Sequence, residues 1–235
     1  MLRTERVSKH FGGVKAVHLV DLEVRAREIL GLIGPNGSGK STIVNLVTGV
    51  LAPTAGRVRF RERDITGWSP HRVLTAGIGR TFQNIRLFGG LTVWQNLWVV
   101  RSEAPARARA GQIAATLEFC RLADKRDELA RSLAFGEQRR LELARVLAAD
   151  PALVFLDEPA AGMNAAEIDD LRVRLLAMRE RGTTVVLIEH HMDLVMGVAD
   201  RVAVLNFGEK IAEGSPATVQ DDEQVREAYL GKRRA

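Results

Sequence analysis

Gly34-Pro35-Asn36-Gly37-Ser38-Gly39-Lys40-Ser41-Thr42 is the stretch on which the fold turns. Gly34, Gly39, Lys40 and Ser41 stand at the fixed places of the G-x-x-x-x-G-K-[ST] phosphate loop, a match that chance produces in a chain of this composition with a frequency of about 0.4%. The apolar run 28–33 before it reads as a strand, and 41–47 after it reads as a buried helix. A loop so flanked turns backbone N–H groups and a helix N-terminus toward one point, where the phosphates of a nucleotide are expected. Lys40 is expected to neutralise the β and γ oxygens, and the Ser41 hydroxyl to ligate Mg²⁺. The competing reading is a glycine-rich turn with no ligand.

Outward from the loop, such a site needs a second carboxylate for the metal and a group to direct water. Leu153-Val-Phe-Leu-Asp157 followed by Glu158 supplies both at the end of an apolar strand. Asp157 is expected to hold Mg²⁺ through water and Glu158 to act as general base. The alternative is that these acids merely cap the region of Ala160. His190 ends the next apolar strand, 183–189, so it emerges at the same edge, where it can meet the γ-phosphate and orient water. His190 and His191 adjoin and lack a metal-ligand spacing, which argues against zinc. Phe11, beside Gly12 and Gly13, is either a core side chain or a platform for a purine ring.

Strand-like runs recur at 17–24, 58–60, 152–156, 183–189 and 201–207, with the turn cluster Leu51-Ala-Pro-Thr-Ala-Gly56 between the first two. Between about residues 81 and 150 the period becomes helical. Residues 112–122 put Ile113, Leu117 and Cys120 on one side, and 139–149 is a strong helix former stopped by Pro151. Residues 101–110, rich in Ala and Arg, read as an exposed connection. Strand and helix alternating at both ends imply an α/β fold with a mostly parallel sheet covered by helices, interrupted by a helical lobe.

The 235 residues suit one large domain or two small ones, and 46% hydrophobic content excludes a disordered or collagenous chain. A single cysteine, Cys120, excludes an internal disulfide, and no apolar signal core follows Met1-Leu2-Arg3-Thr4-Glu5-Arg6, so a reducing cytosol is expected. The longest nearly apolar uncharged stretch, 87–100, is broken by Gln95 and Asn96 and is shorter than the roughly 18 to 20 residues that cross a bilayer. Net charge is +5, with 14 Lys and Arg against 6 Asp and Glu in residues 1–100 and 20 against 23 in the rest. The first part therefore suits an anionic ligand, or simply carries a solvated basic surface.

In order, these motifs resemble the ATP-binding subunit of an ABC transporter over nearly the whole length. The phosphate loop is followed by a Gln loop, Arg80-Thr-Phe-Gln83, and by a signature, Leu133-Ala134-Phe135-Gly136-Glu137. Asp157-Glu158-Pro159, Ala161-Gly-Met-Asn164 and a switch histidine, His190, complete the set. The resemblance implies one ABC ATP-binding domain over 1–235, a P-loop NTPase ABC ATPase core with a mostly parallel sheet, a small antiparallel β subdomain, an inserted helical subdomain at about 80–150 and a helical tail at about 215–235. It implies ATP and Mg²⁺, with Phe11 stacking on adenine and Ser41, Gln83 and Asp157 near the metal. Two such domains are expected to pair head to tail, the second being a copy or a paralogue, each ATP lying between one phosphate loop and the partner's Ala134, Phe135, Gly136 and Glu137. Transmembrane permease subunits and, indirectly, a periplasmic or extracellular solute-binding protein are the further partners implied, at the cytoplasmic face of the membrane. No nucleic acid is expected.

Ala134, Glu137 and Asn164 depart from the family's usual serine, glutamine and aspartate, which removes one hydroxyl contact across the pair. Three stretches, 7–16, 79–88 and 188–197, look most like the branched-chain amino acid importer group, which includes urea and short-chain amide systems. The ending Val225-Arg-Glu-Ala-Tyr-Leu-Gly231 also occurs in lipopolysaccharide-export ATPases. A soluble ABC-type ATPase acting on DNA or ribosomes, and a nucleotide sensor without turnover, are the rival readings. Trp94 and Trp98, four apart within 87–100, mark either a membrane-partner contact or ordinary core packing.

Overall fold

The computed structural model describes residues 1–100 and 105–230. Strands β1 (Leu2–Phe11) and β2 (Val14–Val24) form a hairpin, and β3 (Ile29–Ile33) leads through the phosphate loop into helix α1 (Lys40–Val47). Next come β4 (Ala55–Phe60), β5 (Arg63–Asp64), α2 (Pro70–Thr75) and β6 (Ile78–Arg80), then the helices α3 (Val93–Trp98), α4 (Ala106–Phe119) and α5 (Phe135–Leu147). The chain continues with β7 (Leu153–Asp157), α6 (Ala165–Glu180), β8 (Thr184–Ile188), α7 (Met192–Val198), β9 (Arg201–Asn206), β10 (Glu209–Gly214), α8 (Pro216–Asp221) and α9 (Glu223–Leu230).

Every residue of β3, β7 and β8 is buried, because parallel strands covered on both faces must be near-continuous apolar runs. They lie in a six-stranded sheet of order β10-β9-β3-β8-β7-β6, parallel except for the β9–β10 pair. On one face Leu30, Leu32, Phe155 and Val186 pack against Ile43 and Val44 of α1 and against an antiparallel sheet of order β2-β1-β4-β5. The other face, with Ile29, Ile33, Val154 and Val185, packs against Leu171 and Leu175 of α6 and Leu194 of α7. The middle helices have an apolar centre of their own, including Val93, Leu97, Ile113, Leu117, Cys120 and Leu141. Among the described residues no helix is long and apolar enough to cross a membrane.

Parallel strands end at one edge of a sheet, so the loops after β3, β7 and β8 meet there. The phosphate loop is braced from the sheet. In the β9–β10 turn, the Gly208 N–H donates to the Ser38 carbonyl at 3.0 Å and the Gly208 carbonyl accepts from the His18 N–H at 2.7 Å. Gly39 has φ +105°, and a Cβ there would lie 2.6 Å from the Ala16 carbonyl oxygen.

Several elements differ from the reading of the sequence. Strand β1 was not expected: Leu2, Thr4 and Val7 are buried, but register shifts between Thr4 and Val7, with Arg6 at φ 47°, break the period of two. Residues 106–110, expected as an exposed connection, form the start of α4, as the high helix propensity of Ala and Arg favours. Residues 101–104 of that connection lie outside the described residues. Helix α5 begins at Phe135 rather than 139, because Glu137 Oε2 accepts the Ala134 N–H at 2.9 Å and satisfies one of the first free amides.

Gly39→Ala forces a side chain into a left-handed backbone against β2 and is expected to lower unfolding free energy by about 1–3 kcal/mol, read from urea denaturation. Burial pushes the Cys120 thiol up to about 12. The folded chain should therefore not react with a thiol reagent at pH 8, and should consume one equivalent once unfolded in guanidinium.

Candidate active site

The loop after β3 is built around exposed Asn36 and Gly37, with Pro35 partly covered and Ser38 buried. Ser38 Oγ is buried without a hydrogen-bond partner, which suits a loop shaped for an oxygen-rich ligand. Lys40 Nζ donates to the carbonyls of Gly34 at 2.7 Å and Pro35 at 3.0 Å, folding the ammonium back over the loop. Burial pushes the Lys40 ammonium below its ordinary value, and the carboxylates of Glu158 and Asp157 pull it the other way. Ser41 is exposed and Thr42 half-buried in the first turn of α1. The C-terminal helix reaches this loop too: burial pushes the Tyr229 hydroxyl up, partly offset by a hydrogen bond with the Gly34 backbone.

At the end of β7, Asp157 is buried and its Oδ2 accepts from Arg80 Nη2 at 3.0 Å. Glu158 follows at φ 48°, a left-handed conformation that non-glycine residues adopt only under constraint. Its N–H is tied to the Ile188 carbonyl at 2.8 Å. Both carboxylate oxygens are engaged: Gln83 Nε2 donates to Oε2 at 2.9 Å, and His190 Nε2 lies 2.9 Å from Oε1. Gln83, Glu158 and His190 are thus brought together from three separate segments. The reading that the acids merely cap the Ala160 region does not hold, since the Ala160 N–H donates to Glu189 instead, at 2.7 Å.

Phe11 sits at the end of β1, 48% exposed, with Lys9 Nζ 5.3 Å from its ring centroid, so it is not a core side chain. The signature residues stand apart. Ala134 and Phe135 are exposed, and among the described residues no hydrogen bond or ion pair joins 133–137 to the phosphate loop. Gly136 is covered by its own chain, where an added Cβ would lie 2.1 Å from Glu167 Oε1. The Phe135 ring rests on Gly162, which has φ +77°. Glu137 pairs with Lys125 at 3.4 Å and Arg140 at 3.9 Å. Asn164 caps α6: its Oδ1 accepts the Glu167 N–H at 3.0 Å while Glu167 Oε2 accepts the Asn164 N–H at 2.9 Å.

Three supporting groups were missed by the sequence reading. Glu189, buried at the end of β8, accepts from the Ala160 N–H and from the N–H of His190 at 3.0 Å and His191 at 3.2 Å. Arg139 of α5 donates to the carbonyl of Gln83 at 2.8 Å, and its neighbour Glu142 accepts the Phe82 N–H at 3.4 Å. Burial pushes the Glu142 carboxyl up. Arg80 holds Asp157. An acid directly before two histidines at an apolar strand end was the one visible signal for Glu189; the other two pairs join residues too far apart in sequence to leave a spacing.

The sequence profile described as ABC transporter matches residues 17–161, and that of the branched-chain amino acid ATP-binding cassette transporter matches 209–235. The chain is 40% identical to the high-affinity branched-chain amino acid transport ATP-binding protein LivG of Salmonella typhimurium, over 99% of this chain and 98% of the relative. It is 38% identical to BraF of Pseudomonas aeruginosa, with the same coverage, and 34% identical to the lipopolysaccharide export system ATP-binding protein LptB of Haemophilus influenzae, over 99% and 98%. Among solved structures, an ATP-binding cassette of an ABC transporter in its ADP conformation matches with TM-score 0.90 and 33% identity, covering 99% of both chains. A profile spanning more than half of the chain, and relatives alike from end to end, lead to one conclusion: this chain belongs to the ATP-binding cassettes of ABC transporters and is an ATPase.

Proposed function

We propose that the chain hydrolyses ATP in a head-to-tail pair of cassettes and so powers import through separate transmembrane subunits. The observation that carries the catalytic assignment is the Glu158 carboxylate, held at both oxygens by Gln83 and His190 beside a phosphate loop. In this reading the amides at 34–42 and the Lys40 ammonium bind the phosphates, and Phe11 stacks on adenine. Glu158 takes the proton of the attacking water, His190 orients that water and the γ-phosphate, and Gln83 reports on both. In the closed pair the N-terminal amides of α5 at Gly136 face a γ-phosphate held by the partner cassette.

The donor set suits Mg²⁺. Ser41, Asp157 and the free Gln83 side-chain carbonyl are hard oxygens, and among the described residues no cluster of three or more His, Cys, Asp or Glu could hold a metal alone. Phosphate and water oxygens complete such a site. An ion bound there would supply charge neutralisation to the phosphates.

Similarity to LivG and BraF, together with the 209–235 profile, favours branched-chain amino acids or a related small polar solute as cargo. The LptB likeness makes lipopolysaccharide export the second reading. In either case the cassette works as a peripheral subunit at the cytoplasmic face. For the membrane partner, the favoured surface is the groove of about 440 Å³ lined by Phe82, Arg86, Leu87, Phe88 and Arg145. Phe88 is 51% and Trp98 36% exposed, whereas Trp94 packs partly into the lobe, its ring 6.2 Å from that of Trp98.

Glu158→Gln should slow steady-state hydrolysis by about a thousandfold while ATP stays bound, as expected for loss of a general base with its electrostatic placement; hydrolysis at the normal rate would refute the assignment. Phe88→Ala should abolish co-purification with the transmembrane subunits from native membranes while hydrolysis by the isolated cassette is unchanged. Identification of those subunits by mass spectrometry separates the import reading from the export one.

A further inference from the structure

One segment of four residues touches both acids of the site. Arg80 donates to Asp157, the Thr81 hydroxyl accepts the Asp157 N–H at 3.1 Å, and Gln83 donates to Glu158. Gln83 and Glu158 belong to the reaction proposed above. Arg80 does not, yet its side chain is held from several sides. It ends β6, with its side chain only 11% exposed, against 8% for Asp157. Nη2 goes to Asp157 Oδ2, and Nη1 goes to Asn45 Oδ1 in α1 and, at 3.4 Å, to Thr48 Oγ1. The guanidinium carbon lies 4.8 Å from the Phe82 ring centroid. Three elements therefore fix one planar fork, a geometry for which arginine, and not lysine, is suited.

A carboxylate buried at a strand end needs a partner to keep one orientation. With Arg80 in place, Asp157 is held in one orientation. Its Oδ2 is used by the arginine, while Oδ1 has no hydrogen-bond or ion-pair partner among the described residues. One oxygen is thus committed to the scaffold and the other is left for a hydrated cation. Because Asn45 anchors the same guanidinium to the helix that follows the phosphate loop, the uncommitted oxygen keeps a fixed place relative to that loop.

We propose that Arg80 is a positioning residue for metal binding: it holds Asp157 in one orientation, with one carboxylate oxygen uncommitted, before the nucleotide arrives. This rests on Asp157 being the metal carboxylate. The test uses the full chain, a non-hydrolysable ATP analogue and Mn²⁺ as the metal, with Mn²⁺ binding followed by electron paramagnetic resonance and analogue binding followed separately in EDTA. Arg80→Gln should weaken Mn²⁺ binding roughly tenfold or more, the size of a lost charge-assisted hydrogen bond, and leave affinity for the analogue in EDTA within twofold of the parent. Arg80→Lys should restore part of the loss. Asn45→Ala, which loosens the guanidinium but keeps the ion pair, should weaken Mn²⁺ in the same direction by less, and serves if Arg80→Gln does not fold. On an Asp157→Asn background, Arg80→Gln should produce no further loss.

If Asp157→Asn weakens Mn²⁺ while neither Arg80→Gln nor Asn45→Ala does, the proposal is overturned and the metal assignment survives. If Asp157→Asn leaves Mn²⁺ binding unchanged, the metal assignment itself falls. Equal weakening of analogue binding with and without metal would reduce Arg80 to a structural ion pair, and also overturns the proposal.

Discussion

Two adjacent carboxylates at the end of a buried strand set the terms for everything around them. Asp157 and Glu158 leave β7 side by side; Asp157 is buried, where an unpaired charge is far costlier than a paired one, and Glu158 is half-buried beside it. The chain brings those partners from afar: Arg80 from the end of β6 and Gln83 from the loop after it, His190 from the end of β8, and Lys40 from the phosphate loop. The parallel sheet makes this possible, because it delivers β3, β7 and β8 to one edge with their following loops in reach of each other. The left-handed backbone at Glu158 is the local sign of that demand.

The short segment 80–83 is where the core and the helical lobe meet. Arg80 and Thr81 are bound to β7 and α1, whereas the carbonyl of Gln83 is gripped by Arg139 and the N–H of Phe82 by Glu142, both from α5. A displacement of α5 therefore pulls on Phe82 and Gln83, two and three peptide units from Arg80. That is a physical route from the face proposed to meet a membrane partner to the carboxylate proposed as base.

Much of this was legible in the sequence, for identifiable reasons. The phosphate loop, the apolar runs of β3, β7 and β8, and the acids and histidine at their ends all announce themselves by local pattern, since parallel buried strands leave no room for polar residues. Strand β1 was not legible because a bulge at Arg6 shifts its faces, and β6 because three residues show no period. The start of α5 was misread because its first amides are served by Glu137, while the usual cap position holds Ala134. The pairs that orient the site, such as Arg80 with Asp157 and Arg139 with the Gln83 backbone, join residues more than 50 positions apart. Spacing rules have no access to such pairs. Only a folded arrangement displays them.

The middle helices close around Val93, Leu97, Ile113, Leu117 and Leu141 and join the sheet's helical layer through Phe119 and Leu147. A change on the lobe's outer surface is therefore felt at the strand edge chiefly through the grip of α5 on residues 82 and 83, and much less where the lobe's own apolar centre lies between.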